Sequence, residues 1–508
     1  MKLLTLADLS SALATTRSRN AKVQLLSDCL RELAPDERAI GAAWLSGILP
    51  GERLGLGPAQ VHALRGVVPA QQATLTLAQA QQQLESLKDI KGKGSAGARQ
   101  AALARLFEMA TPQEQDFLAR LLLGELRQGA LEGLMVDAIA MATDLPVADV
   151  RRAIMLAGAI PPVAAATLGE GRAGLAHFKL KLFEPVSPML ASPTDDVESA
   201  LAALGEAIFE YKLDGARVQI HKQGKQVTIY SRTGRDVTLS LPEVSEAVAA
   251  LPADSLILDG EVLAMLGATP RAFQDSMRRF GRKLDVDGMQ SRIPMSLYCF
   301  DCLYVDGADL IDRPTAERHA LMSDILPAHL IVPRLVTSHA EAAGDFLSAA
   351  LDTGHEGLAA PYEAGSRGAS WLKIKVAHTL DLVVLAAEWG SGRRSKWLSN
   401  LHLGARSDEG FIMLGKTFKG LSDQLLAAQT ERFLELATSD TAAHVVHVRP
   451  ELVVEIAFND LQASSRYPGG LALRFARVIR YRDDKTAAEA DTIETVRGLA
   501  AKPQNGSA

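Results

Sequence analysis

The run Glu210-Tyr211-Lys212-Leu213-Asp214-Gly215-Ala216-Arg217 sets a lysine between two carboxylates, with a glycine and an arginine just beyond. A lysine amine is a weak nucleophile near neutral pH, because its free pKa is about 10.4 and the ammonium has no lone pair. A pocket that gathers cations and excludes water favours the neutral amine, which can attack a phosphorus or carbonyl centre. An isolated K-x-D-G is ordinarily a lysine beside a turn. Whether this one does chemistry depends on its companions.

Those companions recur downstream. Ser231-Arg232-Thr233-Gly234 brings a second arginine, and Leu256-Ile257-Leu258-Asp259-Gly260-Glu261 ends an apolar run in two carboxylates. Phe300-Asp301 sets a ring beside an acid, His355-Glu356-Gly357 adds a carboxylate, and Arg367 precedes Trp371-Leu372-Lys373-Ile374-Lys375. On a strand, Lys373 and Lys375 face the same way. Each group alone reads as a solvated strand end. Together they supply a nucleophile, cations for phosphates, carboxylates for a divalent metal and a ring to stack on a base.

The elements that must position them change along the chain. Residues 1 to about 185 carry alanine and leucine at helical spacing, through 101–106, 116–126 and 131–142, with a stop at Asp144-Leu145-Pro146 and a restart over 147–157. Past Pro185, period-two segments appear at 217–222 and 227–231 around a Gln223-Gly224-Lys225 turn, then at 256–258, 296–304 and 382–386, with a helix over 241–250. This predicts a mixed, largely antiparallel α+β domain. After Lys375, short strands at 381–387, 411–414, 452–458 and 475–482 alternate with turns, which suits a small β-barrel. The expected division is 1–186, 187–377, 378–495 and a disordered tail over 496–508.

Two glycine patterns are decoys. Gly92-Lys93-Gly94-Ser95-Ala96-Gly97 spells a dinucleotide fingerprint but follows no hydrophobic strand, so it reads as a basic connector or a backbone-phosphate contact. Gly410-Phe411-Ile412-Met413-Leu414-Gly415-Lys416-Thr417 matches a phosphate loop, yet bulky apolar residues between its glycines predict a strand.

At 508 residues the chain is long enough for about three domains, and 47% hydrophobic with 22% charged residues is ordinary globular composition. A net charge of −6 excludes a uniformly basic coat but not local basic surfaces. No apolar run approaches the roughly 20 residues that span a bilayer. Three cysteines, Cys29, Cys299 and Cys302, suit a reducing, cytoplasmic setting and are too few for a four-cysteine zinc site. Cys299 and Cys302 lie in an aromatic and aliphatic run, where buried structural thiols are expected.

The ordered motif set resembles the covalent nucleotidyltransferases, and specifically ATP-dependent DNA ligases of the archaeal and eukaryotic replicative type, as a three-domain bacterial member. The family pattern E-x-K-x-D-G-x-R falls on Glu210, Lys212, Asp214, Gly215 and Arg217; S-R-x-G on Ser231, Arg232 and Gly234; D-G-E on Asp259, Gly260 and Glu261. Phe300-Asp301, Glu356-Gly357 and Arg367 with Trp371, Lys373 and Lys375 follow in order, and the sixth motif resembles residues 474–485, RFARVIRYRDDK. Residues 120–129 and Pro188-Met189-Leu190-Ala191 resemble parts of the helical DNA-binding domain and its junction. Ala359-Ala360 departs from the bulkier residues common in relatives.

The resemblance implies a multidomain fold: an all-α N-terminal DNA-binding domain, an α+β antiparallel adenylation domain and a C-terminal OB-fold β-barrel. It implies that Lys212 attacks the α-phosphorus of ATP, that AMP then passes to the 5′-phosphate at a nick, and that the 3′-hydroxyl displaces AMP. It assigns Glu210 to the adenine amino group and Phe300 to stacking. Arg217, Lys373, Lys375, Arg482 and Lys485 go to phosphates, and Arg232 and Arg367 to ribose or phosphate oxygens. Glu261 and Glu356 become ligands for Mg²⁺, with Mn²⁺ as a substitute, and Glu261 is alternatively a ribose ligand. The implied partner is nicked double-stranded DNA, bound by a monomer in the cytoplasm at the nucleoid. Competing readings are an RNA ligase, a capping-type nucleotidyltransferase, or a non-catalytic DNA-binding scaffold; the last requires missing catalytic residues, and the main ones are present.

Overall fold

The structure is a computed structural model that describes residues 1–49, 58–126, 128, 132–267, 269–281, 286–361, 371–375 and 378–500. The chain divides into two compact units: residues 1–189 with 221–223 and 230–236, and the remainder.

The first unit is helical, as the spacing predicts. Ser95–Glu108, Pro112–Leu122, Glu132–Thr143 and Val147–Ala157 are helices, and they share one core with Leu3–Thr15 and Arg19–Glu32. Trp44, Phe107 and Phe117 are its largest fully buried apolar side chains. Helix starts follow from local chemistry: Thr111 accepts from the Glu114 N–H while the Glu114 carboxylate accepts from the Thr111 N–H, a reciprocal cap on the first turn. Asp144 takes a positive φ of 53° at the predicted stop. The basic Gly92–Gly97 segment is not wholly a loop, because the helix Ser95–Glu108 begins inside it.

The residues expected to do chemistry lie around two sheets, which belong mostly to the second unit. One has the strand order Ser192–Thr194, Trp371–Lys375, Gly357–Pro361, Ala207–Lys212, Arg334–Thr337. The other runs Gln226–Ser231, Ala216–Gln223, Ser255–Leu266, Met295–Val305, Ala308–Asp309. All but the Ser192–Thr194 pairing with Trp371–Lys375 are antiparallel among the registers around the lysine. Phe209 and Ala207 face a core shared with Val197–Leu204 and Ala340–Asp352, which turns Glu210 and Lys212 to the opposite side. Cys299 and Cys302 are buried free thiols on Met295–Val305, and burial pushes Cys302 up to about 12.

The C-terminal part is an antiparallel sheet ordered Gly410–Thr417, Leu398–Ser407, His378–Trp389, Val453–Phe458, Arg477–Tyr481, with a separate Asp460–Ala463/Leu471–Arg474 hairpin. The phosphate-loop look-alike is one continuous strand, and its Lys416 is an ion-pair partner of Glu388. Burial acts upward on Glu388, yet hydrogen bonds from Lys416, His402 and Asn400 hold its carboxyl at about 2.

The tail expectation needs correcting at its start. Ile493–Ala500 is a helix, and Ile493 and Val496 are buried against the C-terminal core. Its apolar residues sit three apart, one helical face, which the polar composition of the following residues obscured. Residues 501–508 lie outside the described set.

Candidate active site

The lysine is fixed by strand register. Lys212 pairs with Gly357, and Gly357 with Lys375; Glu210 pairs with Ala359, and Ala359 with Lys373. Directly opposed residues share a face, so two short rows cross three strands with Lys212 and Glu210 at one edge. Ala359, midway in the second row, leaves the face between Glu210 and Lys373 open. The small residue that departs from the resemblance therefore lies on the face that carries Glu210 and Lys212.

Glycine is needed immediately after the lysine turn. A Cβ on Gly215 would stand 2.4 Å from the Val262 carbonyl oxygen and 3.0 Å from Glu261 Cγ. With only hydrogen there, the Gly215 N–H donates to Glu261 Oε1 at 3.1 Å. Gly260 meets the same limit, since its Cβ would lie 2.8 Å from Tyr298 O. Gly215 lets the turn after Lys212 press onto the strand that carries Asp259 and Glu261, and Gly260 lets that strand approach Met295–Val305.

Around the amine, charges alternate. Lys212 Nζ stands 3.1 Å from Glu356 Oε2 and donates to the Leu213 carbonyl at 2.8 Å. Burial pushes the Glu261 carboxyl up, with Lys212 the strongest opposing influence. Asp214 is also pushed up by burial, against the pull of Arg474, with Glu356 adding to the upward push. Arg474 donates to both Asp214 oxygens, one of them at 3.3 Å. Two cations and three carboxylates thus meet at one turn.

Arg217 is held rather than loose. Its Nε and Nη2 donate to Asp259 at 2.9 and 2.6 Å, and its Cζ lies 5.3 Å from the Phe300 ring centre and 4.9 Å from that of Trp371. Burial works against its charge, but Asp259 keeps the guanidinium above its ordinary range. Phe300 and Trp371 are 6.2 Å apart, so ring, cation and ring form one wall.

Behind Glu210 lies a polar layer of which sequence reading selected only Asp301. His319 Nε2 is 3.1 Å from Glu210 Oε1, and Arg318 grips Asp301 at 2.7 and 2.8 Å. Arg334 stands opposite Glu210 in the register. Arg318 and His319 come from helix Thr315–Ile325, whose sequence shows no strand-end motif; only tertiary packing brings them here.

The remaining predicted residues are placed as follows. Arg232 is exposed in the turn after Gln226–Ser231. Lys375 holds its register position beside Gly357, and Arg367 lies outside the described residues. Arg482 and Lys485 both donate to Asp381 Oδ2, at 2.7 and 2.6 Å, and Arg482 also pairs with Asp484. Within the sixth motif, the residue that reaches the lysine turn is Arg474, the first arginine of the RFARVIRYRDDK run.

Three family models match this chain in order: "DNA ligase N terminus" over residues 60–140, "ATP dependent DNA ligase domain" over 188–375 and "ATP dependent DNA ligase C terminal region" over 394–485. A protein of Anaeromyxobacter sp. (strain Fw109-5) named "Probable DNA ligase" is 58% identical over 99% of this chain and 98% of its own. The chain belongs to the ATP-dependent DNA ligase family. A "Probable DNA ligase" of Mycolicibacterium gilvum (strain PYR-GCK) is 52% identical, covering 98% of this chain and 99% of that one. Among solved structures, "Pmar-Lig_PreS3" covers 94% of this chain and 99% of its own at a TM-score of 0.61 and 18% identity, a likeness of fold. Membership makes the chain an enzyme that uses ATP and acts on DNA, with a helical N-terminal region, an adenylation domain and a C-terminal sheet domain. Among the described residues no helix is long and apolar enough to cross a membrane.

Proposed function

We propose that this chain, as a monomer, seals nicks in duplex DNA through a lysyl-AMP intermediate on Lys212. The observation that carries the reading is the setting of Lys212 Nζ: 3.1 Å from Glu356, on the same sheet face as Glu210, with Glu261 and Asp214 at the next turn. To attack the α-phosphorus the amine must give up its proton and leave Glu356. Bond formation to nitrogen and departure of pyrophosphate then leave AMP on the lysine. The AMP passes to a 5′-phosphate, and attack by the 3′-hydroxyl forms the phosphodiester and releases AMP.

Each residue has work in that sequence. Glu210 accepts from the adenine amino group, and Phe300 stacks on the ring. Lys373, Lys375 and Arg217 stabilise negative charge developing on the phosphates, while Arg232 and Arg367 hold ribose or phosphate oxygens. Arg482 and Lys485 orient the pyrophosphate. Since Asp381 now holds both, this role requires them to exchange partners.

Among the described residues no group of three or more His, Cys, Asp or Glu side chains is assembled as a metal cage. Mg²⁺ does not need one: it commonly takes one or two carboxylates and completes its shell with phosphates and water. Glu356 and Glu261, oxygen donors beside Lys212, fit that pattern and would hold Mg²⁺ or Mn²⁺, which supplies charge neutralisation of the triphosphate. Glu261 alternatively binds ribose.

The matching family models support the division at about residues 186 and 377. A sealing assay on a labelled nicked duplex with ATP and Mg²⁺ tests the reading. Joined DNA strands support it; joining only where the nick is flanked by RNA favours an RNA ligase, and no joining with any nucleotide favours a scaffold.

A further inference from the structure

Glu210 is the most completely enclosed acid beside the lysine, with 3% of its surface exposed. Its protonation state decides which base edge it can read. A carboxylate only accepts, and suits the 6-amino group of a purine; a carboxylic acid also donates, and suits a 6-oxo group.

The groups facing Glu210 come from three elements. Strand Met295–Val305 brings Asp301, helix Thr315–Ile325 brings His319 and Arg318, and strand Arg334–Thr337 brings Arg334. Opposite on the next strand stands Ala359, which does not titrate, with Lys373 beyond it in the same row. Arg318 is committed to Asp301 by a two-pronged pair. His319 and Arg334 are therefore the cationic or donating groups left to face Glu210. The His319 ring is 1% exposed, and its Nδ1 is buried without a hydrogen-bond partner, so its proton can reside on Nε2, facing Glu210 Oε1 at 3.1 Å. The Arg334 Nη1 likewise has no hydrogen-bond partner, so the charge acts on its register neighbour as a field.

We propose that His319, assisted by Arg334, is a positioning residue that keeps Glu210 in its accepting form and thereby selects a 6-aminopurine nucleotide over a 6-oxopurine one. This rests on the reading of Glu210 as the base reader. With all of these groups in place the Glu210 carboxyl already lies above its ordinary range, so any loss of restraint moves it further up. Burial drives the Glu210 carboxyl upward and Asp301 adds to it, while His319, by hydrogen bond and charge, and Arg334 act downward. Removing His319 removes the main restraint, so Glu210 holds its proton to higher pH.

The test compares covalent transfer to Lys212 from ATP and from ITP, whose base carries a 6-oxo group and no 2-amino group. In the native protein the ratio of kcat/KM for ATP over ITP stays flat from about pH 8 to about pH 5.5. In His319→Leu the ratio falls about tenfold or more across that range, one pKa unit being tenfold in protonation, and the change appears in KM. His319→Gln, whose amide donates to the carboxylate, restores a flat profile. Arg334→Gln shifts the ratio in the same direction by less, and this half-buried position carries the test if His319→Leu does not fold. A flat ratio in His319→Leu, or in Arg334→Gln where that variant stands in, overturns the proposal when Glu210→Gln does alter nucleotide choice. If Glu210→Gln leaves the choice unchanged, the base-reading role itself fails and the proposal fails with it.

Discussion

Arg474 donates through both of its terminal nitrogens to the carboxylate of Asp214, two positions past Lys212 and 260 residues away in sequence. The guanidinium also lies 4.5 Å from the Phe273 ring centre, and only 10% of the side chain is exposed. One contact thus joins the C-terminal sheet region to the nucleophile's own turn. Its residue precedes Phe475, which takes a positive φ of 56°, a backbone state that bulky residues seldom adopt.

Removing Arg474 leaves the Asp214 carboxylate partly buried without its guanidinium. In a double-mutant cycle of Arg474→Ala and Asp214→Ala, the rate of self-adenylation is expected to show a coupling of about 1–3 kcal/mol. Strict additivity would mean the contact is not made during that step.

Arg217→Lys is expected to lower kcat/KM for self-adenylation by about 10- to 100-fold, about 1.4–2.7 kcal/mol. A lysine cannot both span the two Asp259 oxygens and set a broad cation against the Phe300 and Trp371 rings. Activity within twofold of native would show that the charge alone suffices.

Arg482→Ala and Lys485→Ala should each lose self-adenylation while still sealing a nick supplied already adenylated. Both side chains rest on Asp381, so they must release it to serve the pyrophosphate. Equal loss of the two activities would restrict them to supporting the C-terminal sheet.

His221 is fully buried, accepts from the Phe183 N–H at Nδ1 at 2.8 Å, and is lowered by burial to about 4. The unfolded imidazole titrates near 6.5. Because the unfolded chain binds the proton more readily, this contribution is full above about pH 6.5 and is lost as pH falls towards about 4. The helical unit is therefore expected to lose about 3 kcal/mol over that interval. Urea unfolding at several pH values should show the loss, and His221→Asn should flatten it; an unchanged slope in that variant would assign the acid sensitivity elsewhere.

Much of the architecture was legible because it is local. The runs at 296–304 and 411–414 point to the strands Met295–Val305 and Gly410–Thr417, and the latter disposes of the phosphate-loop pattern, whose lysine is spent on Glu388. Lys212 and Lys373, both selected by motif, lie on the strands either side of Gly357–Pro361, with Glu356 just before that strand. What escaped depends on packing across distance. Arg318 and His319 sit on a helix with no distinguishing pattern, and nothing in the spacing indicates that their side chains meet Asp301 and Glu210. Nor does spacing reveal which of several motif-six arginines meets Asp214. The helix Ile493–Ala500 was missed because a short amphipathic stretch beside a polar terminus gives little periodic signal.

The most direct test of the account is incubation of the protein with α-labelled ATP and Mg²⁺, followed by denaturation and peptide mapping. The label should remain covalently attached through an acid-labile phosphoramidate on Lys212, and should be absent in Lys212→Ala. No covalent adduct, or an adduct that persists in Lys212→Ala, would contradict the assignment of this lysine as the nucleophile.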